Sequence, residues 1–203
     1  LNAYGQVAVW GEDKYKQVSN APSETGFTAI SAGYQLCMAL KSNGEIVTWG
    51  DDRYGQVSDT PTGNNFVKIA AGYYHCLALK DDGTIVSWGN DYYGNVVTTT
   101  PTSSGFTAIT AGSFFSLALK TDGSLVTWGY DGNDQISGLP DASNFTSAIA
   151  CGQKTSMAIT TAGDIVGWGS DTKEILSKLS SLNSAETFTD VAIGTKTAYA
   201  LAQ

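Results

Sequence analysis

Ala71-Gly72-Tyr73-Tyr74-His75-Cys76-Leu77-Ala78-Leu79-Lys80-Asp81-Asp82-Gly83-Thr84-Ile85-Val86-Ser87-Trp88-Gly89-Asn90-Asp91-Tyr92-Tyr93-Gly94 is a phrase that the rest of the chain repeats with variations. All five tryptophans, Trp10, Trp49, Trp88, Trp128 and Trp168, precede a glycine and stand 39, 39, 40 and 40 residues apart. A glycine lies 16 residues before each later tryptophan, at Gly33, Gly72, Gly112 and Gly152, and Gly194 continues the series with no tryptophan after it. A fixed period of about 40 residues marks architectures built by stacking or radial repetition of one unit.

Inside each unit the pattern divides into short strands. A first strand over residues 27–31 has counterparts at 66–70, 106–110, 145–150 and 188–192, each opening on Phe and ending in small residues. An apolar second strand, 37–40, recurs at 76–79, 116–119, 156–159 and 198–201. Asn43-Gly44, Asp82-Gly83, Asp122-Gly123 and Ala162-Gly163 then mark tight turns, since Asn-Gly and Asp-Gly supply the positive φ values of a two-residue hairpin. The third strand, 45–49, alternates between two faces as strands do. A loop after Trp-Gly leads to an expected fourth strand around Val18, Val57, Val97, Ile136 and Leu176.

The chain of 203 residues is long enough for a substantial core, and the even repeat implies one domain over 1–203. The 23 Gly, ten Tyr, seven Phe and five Trp, without helical periodicity, point to an all-β fold rich in turns. Gly194 to Leu201 repeats the spacing of Gly33 to Leu40, and Gly5 to Trp10 repeats Gly44 to Trp49. The two ends together therefore amount to one unit. The simplest geometry is a five-bladed β-propeller of four-stranded antiparallel blades, over 27–61, 66–100, 106–140, 145–187, and 188–203 plus 1–22, with both termini closing the last blade so that no sheet edge stays bare. The fourth unit departs from the pattern, with 18 residues between Gly169 and Phe188 where the others have 15 or 16. Ile175, Leu176, Leu179 and Leu182 give that stretch the spacing of a short helix.

Charge and composition exclude several functions. A net charge of −8 argues against an electrostatic grip on nucleic acid or on an anionic membrane. No apolar run approaches the ~20 residues of a membrane-spanning helix, so no membrane insertion is expected. Cys37, Cys76 and Cys151 are an odd number without metal-ligand spacing, and they read as small buried hydrophobes. His75 is the only histidine, and its strand neighbour Cys76 points to the opposite face, so no catalytic pair forms. Neither catalytic residues nor a cofactor is expected.

The phrase Ala-Gly-x-x-His-x-Leu-Ala-Leu-x-x-Asp-Gly-x-x-x-x-Trp-Gly-x-Asp-x-x-Gly resembles the repeat of the regulator of chromosome condensation family. Residues 71–94 carry it in full, 32–56 and 111–129 nearly so, and Trp49-Gly50-Asp51-Asp52-Arg53-Tyr54-Gly55-Gln56 is similar to the family's loop motif with Asp in place of Asn. The resemblance implies a β-propeller of four-stranded blades, usually seven. Chromatin-bound members are exchange factors for a small nuclear GTPase. An acidic chain without a basic arm does not fit that role. A bacterial branch, similar to propeller inhibitors of β-lactamases, binds protein through an aromatic-rich face.

The loops point the same way. In an antiparallel blade the first-to-second and third-to-fourth connections emerge on one side. Tyr34, Tyr73, Tyr74 and Phe114 lie on the inner tips, and Arg53, Tyr54, Tyr92, Tyr93 and Tyr130 on the loops after Trp-Gly. These nine are the candidate partner-binding residues, because tyrosine brings stiff amphipathic contact area to interfaces. Tyr15, Tyr54 and Tyr93 occupy one repeated position and also read as braces of the loop. Asp13, Asp52, Asp91, Asp131 and Asp171 recur two residues after the Trp-Gly glycine, which fits a turn cap better than a metal ring. The expected function is a non-enzymatic recognition module that engages a protein partner through this aromatic, acidic face as a single copy. The alternatives are a glycan-binding, lectin-like propeller and a structural or host-recognition part of a larger surface or virion assembly. The sequence assigns no compartment, and such uses favour an extracellular, surface or virion setting only slightly.

Overall fold

Each repeat folds as an antiparallel meander because an apolar second strand is flanked by two strands that end in glycine. The computed structural model describes residues 1–203 except 93, 95, 142–143, 171–174, 183–185, 195–196 and 203. Four three-stranded sheets follow one another: β1 (Phe27–Ala32), β2 (Leu36–Lys41) and β3 (Ile46–Gly50); β4 (Phe66–Ala71), β5 (His75–Lys80) and β6 (Ile85–Gly89); β7 (Phe106–Ala111), β8 (Phe115–Lys120) and β9 (Leu125–Gly129); β10 (Phe145–Cys151), β11 (Thr155–Thr160) and β12 (Ile165–Gly169). A short helix α1 (Leu179–Leu182) precedes a two-stranded sheet, β13 (Phe188–Ile193) and β14 (Ala198–Ala202). Among the described residues no helix is long and apolar enough to cross a membrane.

Consecutive sheets pack face to face, the first strand of each against the first two strands of its predecessor. The middle strands are therefore covered on both faces, which is why they read as continuous apolar runs rather than as alternation. The junctions between the four three-stranded sheets share one composition. Leu36, Met38 and Leu40 meet Phe66, Ala78 and Trp88 at the first, and Leu77, Leu79 and Ile85 meet Phe106, Ala118 and Trp128 at the next. Burial of each such Phe or Trp contributes roughly 2 kcal/mol.

Two hydrogen bonds repeat along the junctions, one at the first four and the other at all five. The indole N–H of Trp49, Trp88, Trp128 and Trp168 donates to the carbonyl of Gln17, Gln56, Val96 and Gln135, at 2.8, 2.9, 2.9 and 2.9 Å. The amide of the opening Phe donates to the turn glycine of the preceding unit: Phe66 to Gly44, Phe106 to Gly83, Phe145 to Gly123 and Phe188 to Gly163. Phe27 does the same to Gly5, so residues 1–22 stand against the first sheet as each unit stands against the next. Val7, Val9 and Ala21 pack there on Phe27, Ala39 and Trp49.

Three expectations from the sequence need correction. The fourth strands are not formed: the segments around Val18, Val57, Val97 and Ile136 are turns, and a carboxylate binds the amides that a strand would have offered a neighbour. The hairpin turns are one residue longer than a two-residue loop. Gly44 N–H donates to Lys41 O and Lys41 N–H to Glu45 O, with Gly44 alone at positive φ (+86°), which is a type I turn followed by a left-handed residue. Last, the termini do not close a blade. Residues 1–22 contain no strand, and among the described residues no third strand joins β13 and β14. Trp10 is 83% exposed against 4–5% for the other four tryptophans, and Tyr199 and Leu201 on β14 are exposed.

The irregular fourth unit has a local cause. Thr48 and Thr60 share a hydrogen bond, and Thr100 donates to Ser87 Oγ, so a hydroxyl on the third strand normally ties down the following turn. Gly167 occupies that position in β12, and Leu176 and Leu179 fill the space a side chain would need. The helical spacing read from Leu179 and Leu182 is realised as the single turn α1, with Leu179 in the core of the last junction.

Candidate functional site

The loops that join first to second strands, and those that follow Trp-Gly, are tied together on one side of the sheets. Asp51 N–H donates to Gln35 O, Asn90 to Tyr74 O, Tyr130 to Phe114 O and Ser170 to Lys154 O, at 2.8 to 2.9 Å. The inner tips cannot retreat from the next unit, because a Cβ on Gly33 would strike the carbonyl of Gly72, and one on Gly72 would meet the carbonyl of Gly112 and the His75 ring. Of the residues after those glycines, Ser113 is buried, Tyr73, Tyr74 and Phe114 are half-buried, and Tyr34 is exposed.

Their rings join into one cluster across three units. Tyr34 and Tyr73 stack at 4.9 Å between centroids, and Tyr74 meets Tyr34 edge-on at 6.0 Å. Tyr54 meets Tyr74 at 5.7 Å, and Phe114 lies 6.2 Å from Tyr73 and 6.1 Å from Tyr74. Arg53 extends the cluster toward the N-terminal unit, its guanidinium 4.7 Å from the Tyr15 ring and 5.9 Å from that of Tyr54. It also donates to both oxygens of the buried Asp51 and to Gln35 Oε1. Burial would raise the Asp51 carboxyl, but Arg53 outweighs it and holds Asp51 below the usual carboxylate range. Of the nine expected residues, six therefore come together: Tyr34, Arg53, Tyr54, Tyr73, Tyr74 and Phe114. Tyr92, 82% exposed, shares a shallow hollow with Tyr54. Tyr130 lies instead against the backbone of Gly94 and beside Gly132. Tyr93 lies outside the described residues.

The recurrent aspartates act as loop caps. Asp13 Oδ1 accepts from the amides of Val18 and Ser19, Asp52 from Val57 and Ser58, Asp91 from Val97 and Thr98, and Asp131 from Ile136 and Ser137. The Ser19 and Val18 amides hold the Asp13 carboxyl below its ordinary range. Asp171 is outside the described residues. A second clasp was not legible as such in the sequence: Gln17, Gln56 and Gln135 accept the amides of Tyr15, Tyr54 and Asn133 through their side chains while their own carbonyls take the tryptophan indole. The repeated Gln seven residues after Trp10, Trp49 and Trp128 was its only signal.

His75 is buried, with Nε2 2.9 Å from Ser116 Oγ on the next sheet, and burial lowers its pKa from 6.5 to about 4. Burial pushes the Cys76 thiol up and that of Cys151 to about 12, so neither offers a thiolate near neutral pH. At the centre of the face a funnel of about 430 Å³ is lined by the tip glycines of all five units. Tyr34 and Tyr73 stand on its wall from the first two units, Ser113 and Gln153 from the next two.

The regulator of chromosome condensation (RCC1) repeat matches residues 27–56, 66–95 and 106–135. Those three stretches are RCC1-type repeats. Its β-sheet arrangement is that of RCC1-type propellers. The ectodomain of the Physcomitrella patens receptor kinase CR4 has a TM-score of 0.78 at 20% identity, with 99% of this chain covering 54% of that one. Prp20p from Saccharomyces cerevisiae has a TM-score of 0.72 at 22% identity, with 87% of this chain covering 56% of that one. Human WBSCR16 has a TM-score of 0.73 at 20% identity, with all of this chain covering 66% of that one. The chain thus spans about half the length of the first two. No curated protein matches it in sequence. The caps, the Trp-Gly pairs and the tip glycines recur within the matched stretches and beyond them. In the aromatic cluster Tyr54 occupies a repeated position, whereas the tip residues Tyr34, Tyr73, Tyr74 and Phe114 give way to Ser113, Gln153 and Lys154 in other units.

Proposed function

We propose that this chain is a non-enzymatic recognition module that engages a protein partner through the aromatic face formed by Tyr34, Tyr54, Tyr73, Tyr74 and Phe114, with Arg53 and Tyr92 at its margin. The observation that carries the reading is the continuity of ring contacts across three units, in which Tyr34, Tyr73, Tyr74 and Phe114 stand at tip positions whose identity changes from unit to unit, while Tyr54 holds a repeated position beside Tyr74. Framework residues recur here, as the aspartates and tryptophans do, whereas one extended epitope needs differing tips. Tyrosine clusters with an arginine at their edge have the composition of interface hot spots. Solved RCC1-type relatives lend support, since the yeast Prp20p work describes binding to Gsp1p and histones, and yeast RCC1 has been solved bound to Kap60. An aromatic face of this kind resembles the use made of the fold by the β-lactamase-inhibitor branch, though it implies no such target.

The test compares the parent with a Tyr73→Ala/Tyr74→Ala variant in partner capture and in thermal unfolding. The expected outcome is loss of the captured protein with a melting temperature within about 3 °C of the parent. Unchanged capture, or a variant that fails to fold because both rings serve the framework, overturns the assignment. Reproducible hits on a single sugar class in a glycan array would replace it with a lectin reading.

A further inference from the structure

Ser113 is the one described residue whose buried side-chain oxygen has no hydrogen-bond partner. It is 4% exposed and shares the lining of the funnel with two tyrosines. A buried hydroxyl left unmatched costs about 1–3 kcal/mol, so its retention on the wall of an open funnel points to a ligand that supplies the missing bond. The tyrosines in that lining say what kind of ligand. Tyr34 is 56% exposed, and aromatic faces attract cations. The molecule already seats one in this way, with the Arg53 guanidinium over Tyr15 on the same face. Because Asp51 neutralises Arg53 in place, that cation does not repel a second. The chain as a whole carries −8, and Asp52, Asp131 and Asp134 are exposed on loops of this side.

Resting on the protein-binding reading above, we infer that the funnel is the seat for an arginine side chain of the partner. Its guanidinium lies against Tyr34 and Tyr73 and donates an N–H to Ser113 Oγ. A planar group with donors along its edge suits a site lined by both rings, Tyr34 and Tyr73, and polar side chains, Ser113 and Gln153. An ammonium group would use the rings but not the planar fit. A neutral planar group would use the hydroxyl and gain little from the rings or from the charge.

The experiment is an NMR titration of the intact protein with ethylguanidinium chloride, at ionic strength held constant with sodium chloride, and with ethylurea as the neutral counterpart. Expected are saturable shifts at Tyr34, Tyr73 and Ser113 with ethylguanidinium alone. Ser113→Ala should weaken binding about tenfold, the worth of one hydrogen bond to a charged group. Tyr34→Leu/Tyr73→Leu, which keeps apolar bulk should alanine unfold the tip, should abolish saturation. Equal responses to ethylurea, shifts that do not saturate, or indifference to both variants overturn the inference. A protein that loses its partner on Tyr73→Ala/Tyr74→Ala yet shows no ethylguanidinium saturation overturns this inference alone. Saturation at the funnel in a protein whose capture ignores that variant overturns the reading of the face and leaves the cation seat standing.

Discussion

His75 is the residue whose chemistry is most altered by its place in the fold. Leu36 and Phe115 occupy its position in the neighbouring units, so a packing role is common to all three. Its imidazole titrates near 4 in the folded chain and near 6.5 when exposed, so the unfolded state takes up the proton first as pH falls. The stability tied to neutral His75 is complete above pH 6.5 and drains away between 6.5 and 4, by at most about 1.4 kcal/mol per pH unit. Urea midpoints measured across that window should fall more steeply for the parent than for His75→Leu, which restores the residue of the first unit. Parallel slopes would show that the ring is protonated in place. At the same scale, Trp88→Ala should cost about 3–5 kcal/mol through cavity formation and the lost indole bond. Trp10→Ala, at a position 83% exposed, should cost less than about 0.5 kcal/mol in the same denaturation assay.

Among elements, the strands were the most legible part of the sequence and the loops the least. Phe at the start, glycine at the end and an apolar middle strand define the hairpins with errors of a residue, because burial on both faces leaves no polar alternative there. The supposed fourth strands misled because Val57-Ser58 and their counterparts have strand-like composition, yet Asp52 captures their amides from within the loop. A side-chain cap competes with a ladder through hydrogen bonds that hydropathy does not register. Asp52→Ala should therefore loosen one loop, costing about 1 kcal/mol, without touching the adjacent hairpins. Amide hydrogen exchange should quicken at Val57 and Ser58 and stay unchanged at Leu77. Gly44→Ala should cost more, since positive φ and the nearby Asn64 carbonyl both oppose a Cβ. The candidate face was legible as a list of loop residues, but the Arg53–Asp51 clamp and the unmatched Ser113 were not. Both depend on which polar atoms find partners, and that is decided by three-dimensional neighbours.

At the scale of the whole molecule, every unit is completed by the one before it, through one phenylalanine amide and one apolar cluster and, at all but the last junction, one indole. Contacts of this kind make stability close to a sum over neighbouring pairs, as in other repeat proteins. They also give each of the first four junctions its own chromophore. Trp49, Trp88, Trp128 and Trp168 each sit at a different boundary in a dry setting, while Trp10 emits from water throughout. Variants that keep one of the four and replace the other four tryptophans with Phe would turn the chain into a set of position-labelled reporters. A red shift in one of them at a denaturant concentration that leaves the others blue would locate the weakest seam. Coincident shifts would show that the row of sheets melts as one body.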